Sequence, residues 1–158
     1  MKSDKIIMKA AIGNMIANTV INGFITWFTF KGMDNVPFSV DSIANKDVTI
    51  FGSMFPVLFG LTLILGVITY FTFKKTAAKE NLAPLSAINK PFYPHMLKFV
   101  FSKMFSAMGF LMILAIFWQR IFGTIHVDAI FASLIVGIAA GLASMYIGIA
   151  VSKEVIRE

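Results

Sequence analysis

The sequence predicts an all-α integral membrane protein, an antiparallel four-transmembrane-helix bundle with both termini cytoplasmic. Three observations carry that expectation. Of 158 residues, 58% are hydrophobic and 14% charged, and the mean hydropathy is +0.81, well outside the range of ordinary soluble domains. Four apolar windows, 10–30, 55–73, 104–118 and 129–151, provide spans for roughly 30 Å of hydrocarbon at about 1.5 Å per residue, the third as part of a longer helix. Placing these windows puts eleven of the fourteen cations with four of the eight acids on one side, and three cations with four acids on the other. The positive-inside rule then assigns both termini and the 74–93 loop to the cytoplasm, and a bacterial chain of this kind to the inner (plasma) membrane.

The first window carries the most informative pattern. Asn14, Asn18 and Asn22 recur every four residues in an otherwise apolar stretch, and Thr26 continues the row. Each step turns about 400° on an α-helix, so the side chains share one face and climb about 12 Å from Asn14 to Asn22. Carboxamides are costly in hydrocarbon, so this face is expected to meet protein or a hydrated path. It serves either as a polar pathway or as hydrogen-bonding glue between helices. Lys2, Lys5 and Lys9 before an apolar run also suit a signal peptide, but the asparagines interrupt the run and it exceeds a usual signal core, so it reads as a span.

The connection 31–53 carries Asp34, Asp41 and Asp47 and reads as a solvated outer loop, with room for a short helix over 42–46 capped by Ser39 or Asp41. In the second window Pro56 has two readings. It occupies the first helical turn if the helix starts after Ser53, or frees a carbonyl if the helix starts near Asp47. The 74–93 loop, with Pro84, Pro91 and five cytoplasmic charges, reads as a strap against anionic headgroups.

The third helix is expected to start near Pro94 and run to about Phe122, flanked by snorkelling lysines. His95, Lys98, Ser102 and Lys103 form a basic cytoplasmic mouth that attracts an anion or lipid phosphate, or serve simply as positive-inside anchors. Met104, Met108 and Met112 repeat at helical spacing, which reads as adaptable packing rather than a copper path. The tight turn 123–128 makes the last two helices antiparallel neighbours, with Asp128 as a helix cap and Arg120 and His126 beside it. In the fourth window Gly137, Gly141, Ser144 and Gly148 form a small-residue stripe containing a GxxxG match, which predicts a helix-packing seam within the chain or between copies.

Catalysis has little support. There is no cysteine, no acid well inside a span and no glycine-rich phosphate loop, and His95 and His126 fall on opposite sides of the membrane. The expectation is therefore no enzyme, no catalytic residue, no metal and no cofactor. Nucleic acid is not needed to explain a pI near 9.7, because the cations sort by membrane side. The expected partners are membrane lipids, a second copy in a homo-oligomer, and a small solute or ion. The leading functional expectation is a small permease or channel-like protein passing a polar solute or ion along the asparagine face. The alternative is a non-transporting membrane subunit or scaffold whose Asn and Gly faces bind partner helices.

Overall fold

The computed structural model describes residues 2–40, 47–89 and 91–157. It is 81% helical, in the order α1 (Lys2–Phe30), β1 (Val36–Phe38), α2 (Ile50–Lys79), α3 (Leu85–Ile88), α4 (Leu97–Phe122), β2 (Ile125–Val127) and α5 (Ala129–Val155). Three of the long helices are long and apolar enough to cross a membrane: α2, α5, and α4 together with the π-helical turn Phe92–Met96 that leads into it. At 29 residues α1 has the length, but its asparagines lower its hydropathy and it is not among the three.

Local chemistry sets the helix ends. The Thr49 side chain accepts the Gly52 amide at 2.9 Å and caps α2. Pro56 therefore lies inside the helix and leaves the Gly52 carbonyl without its usual intrahelical donor. Asn81, at φ 50°, stops the same helix: the Leu82 amide reaches back to the Ala77 carbonyl at 3.0 Å, a Schellman-type ending that needs a left-handed residue. Asp128 caps α5 by accepting the Phe131 amide at 2.9 Å. Tyr93 is extended (φ −98°, ψ 141°), as a residue before proline prefers, so the helical path that leads into α4 runs from Pro94 through the π-helical turn to Leu97. Because α2 runs from Ile50 to Lys79, the outer connection is shorter than 31–53 and the second loop begins only at residue 80. The helix expected over 42–46, with Asp41, lies outside the described residues, as do Lys46, Lys90 and Glu158.

The first connection also contains a feature not expected from the sequence. β1 pairs antiparallel with β2, with Val36 opposite Val127, Pro37 opposite His126 and Phe38 opposite Ile125. This two-stranded clamp ties the first connection to the turn between α4 and α5.

α5 organises the helices. It packs most extensively on α1 and next on α2, while α4 rests mainly on α2 and less on α5. α1 and α2 barely touch. Two apolar clusters form the core. One, at the strand end, gathers Phe30, Val36, Phe51, Leu58, Leu111 and Val136. The other, at the opposite end, gathers Ile7, Tyr70, Phe73, Met96, Val100 and Ile147. That second end brings both chain ends and the second loop together, since Lys2 pairs with Glu80 at 3.0 Å and His95 with Glu154 at 2.9 Å. It is called the basic end below.

Candidate functional site

The asparagine row lies on the flank of α1 beside its contact with α5, and all three side chains are half-buried. Their amide groups follow their own helix. Asn18 Nδ2 donates to the Asn14 carbonyl at 2.8 Å, and Asn22 Nδ2 donates to the Asn18 carbonyl at 2.9 Å. The four-residue spacing that puts them on one face also puts each amide beside the preceding carbonyl, which meets part of the hydrogen-bonding demand without a neighbouring helix. Thr26, the last of the row, is buried. Asn14 differs, because its carboxamide has no side-chain hydrogen bond among the described residues and faces a cleft.

That cleft, about 230 Å³, occupies the basic half of the groove that α1 and α2 leave between them over α5. Its polar lining comes from all three helices: Asn14 of α1, Thr69, Thr72 and Thr76 of α2, and Ser152 of α5. Ile6, Ala10, Ala11 and Phe73 form the apolar walls, and Gly148 keeps the α5 side open beside Asn14. The Thr72 hydroxyl donates to the Ile68 carbonyl at 2.9 Å and the Thr76 hydroxyl to the Thr72 carbonyl at 3.2 Å. Among the described residues no acidic or basic side chain lines the cleft.

Past Asn14, toward the strand end, α1 and α5 pack closely. A methyl placed on Gly137 would meet the Thr19 carbonyl oxygen at 2.6 Å and Gly23 Cα at 2.9 Å. One on Gly141 would meet the Met15 carbonyl oxygen at 2.9 Å. These glycines let the backbones of α1 and α5 approach closely, which substitutes for the hydrophobic drive that lipid cannot supply. Ser144 is fully buried and donates to the Gly141 carbonyl at 2.7 Å. The small-residue stripe thus lies against α1 of the same chain.

The strand end is closed by a polar and aromatic cap. Phe38 stacks on Trp118 with ring centroids 4.1 Å apart, and Trp118 Nε1 donates to the Phe38 carbonyl at 3.2 Å. Gln119 Oε1 accepts both the Ser39 hydroxyl and the Val40 amide at 3.1 Å. The Thr124 hydroxyl donates to Ser39 at 3.0 Å.

The basic group on α4 is not part of the cleft. Lys98 and Ser102 are exposed, and the Lys103 ammonium lies 5.1 Å from the Phe99 ring, as a snorkelling lysine does. His95 turns to Glu154, which also meets Arg157 at 3.4 Å. Met104 is buried, Met108 packs on the core and Met112 is exposed, so that row begins as packing and ends on the outer surface of the fold. Among the described residues no group of three His, Cys, Asp or Glu side chains converges as a metal site. The sequence reading passed over Thr69, Thr72, Thr76 and Ser152. The signal was there in α2, where steps of three and four residues put the threonines on one face of an apolar helix. Comparisons with protein-family models, with curated proteins and with solved structures find no match for this chain.

Proposed function

We propose that this protein is a small four-span permease, caught open toward the cytoplasm, that takes up a small polar solute between α1, α2 and α5. The observation that carries the reading is the one-sided polar cleft. Hydroxyls and a carboxamide line it at the basic end, while beyond Asn14 the glycines bring α1 tightly against α5 and the strand clamp ties the first connection to the turn before α5. A carrier that alternates between two faces of a membrane needs such a cavity on one side of a closed constriction.

The fourth span in this proposal is α1. It runs antiparallel to α5, with Asn14 beside Gly148 and Gly23 beside Gly137. Its opposite face exposes Ile12, Ile16, Val20, Phe24 and Phe28, which suits lipid. A helix bound along a spanning partner and apolar on its free side crosses with it. The lysines at the basic end support a cytoplasmic location for that end and both chain ends, in the inner membrane if the chain is bacterial. Assembly into a homo-oligomer would enclose the groove on its open side.

The test is solute flux in liposomes containing purified protein. Asn14→Leu is expected to abolish flux while thermal unfolding and membrane insertion stay as in the parent chain. Full flux through a well-folded Asn14→Leu protein would refute the reading. One observation favours a second reading, a scaffold subunit. Asn18 and Asn22 spend an amide proton on their own helix and leave their amide oxygens to receive donors from a partner helix. Under that reading the purified protein moves no solute, and Asn18→Leu releases a partner.

A further inference from the structure

Building on the permease reading, we infer that the cleft selects small uncharged solutes that both donate and accept hydrogen bonds, such as a short polyol or an amide, and excludes ions. Part of the lining has its hydroxyl protons already engaged. Thr72 and Thr76 give their hydroxyl protons to helix carbonyls, so toward the cleft they offer only lone pairs. A ligand must bring donors to meet them. Asn14, Thr69 and Ser152 have no side-chain hydrogen bond among the described residues, so they offer donors and acceptors together.

An inorganic anion, which only accepts, would face the lone pairs of both threonines. A metal cation could be coordinated by those lone pairs, but it would leave the Asn14 amide protons unused and would have to enter through the end that carries most of the lysines. Among the described residues it would also meet no acid in the lining, so only neutral oxygens would replace its hydration. A neutral solute with both functions satisfies every group. At about 230 Å³ the cleft has room for a small solute. Among the described residues no titratable side chain lines the cleft, so no group of that lining moves a proton with the solute.

The experiment uses the full chain in liposomes and follows re-swelling by light scattering after separate gradients of glycerol, urea, potassium phosphate and potassium chloride. In parallel, Thr69→Cys in this cysteine-free chain reports occupancy through the rate of maleimide labelling, with Ser86→Cys as the control for viscosity. Glycerol or urea is expected to enter, the salts to stay out, and glycerol to slow labelling at Thr69→Cys but not at Ser86→Cys. Thr72→Val is expected to cut neutral-solute flux about tenfold, the worth of one hydrogen bond, and Thr72→Ser to restore it, which separates a lost acceptor from a lost fold. Faster entry of phosphate, chloride or potassium than of neutral solutes would overturn the solute class and leave the permease reading standing. Protection at Thr69→Cys without any flux would keep the solute class and overturn transport. Neither flux nor protection would overturn both.

Discussion

Gly137 sits against the backbone of α1, so a single methyl there has much to disrupt. The atoms it would meet are the Thr19 carbonyl oxygen and the Gly23 backbone, and neither can rotate away as a side chain would. Gly137→Ala is therefore expected to lower stability by about 1–3 kcal/mol, the usual cost of overpacking. Gly60→Ala, with nothing within 4 Å, is expected to be neutral or slightly stabilising. Unfolding of both variants in mixed detergent micelles checks the pair. At this scale the sequence was informative about type and less so about destination. The face shared by Asn14, Asn18 and Asn22 follows from their spacing alone, as does the small-residue stripe of α5. Which face meets which helix does not, because that depends on packing between segments more than a hundred residues apart. The spacing did contain one further reading: an asparagine four residues after another can reach its carbonyl, and Asn18 and Asn22 do.

Elements differ in how plainly the sequence announces them. α2, α4 and α5 follow from long apolar runs, and the start of α5 from Asp128, whose short side chain suits a helix cap. Asp128→Ala is expected to cost about 0.5–2 kcal/mol by removing that cap, measured by thermal unfolding. The strands had no comparable signal. Three residues are too few to show an alternating pattern, and β1 contains Pro37, which reads as loop. Their pairing depends on contacts far along the chain: Trp118 on Phe38, and Gln119 on Ser39 and Val40. Gln119→Ala removes the acceptor of a buried hydroxyl and a backbone amide. It is expected to cost about 1–3 kcal/mol and to speed amide hydrogen exchange at Val40 relative to α5.

The molecule has a polar cleft at its basic end and a strand clamp at the other, and the proposed function depends on that asymmetry. The charge sorting along the sequence carried the first half of this picture, since lysines mark helix ends. The cleft was not legible, because it exists only where α1 and α2 fail to meet over α5, a vacancy no local pattern encodes. The orientation can be read by impermeant maleimide on single cysteines: Ser86→Cys is expected to label only from the cytoplasmic side and Asn35→Cys only from the outside. The most direct test of the central claim applies the same reagent to Asn14→Cys, with the lipid-facing Ile16→Cys as control. The account predicts labelling of Asn14→Cys from the cytoplasmic side alone and none at Ile16→Cys. An Asn14→Cys protein that folds and inserts but labels from neither side, or only from the outside, would contradict a cytoplasm-facing polar cleft.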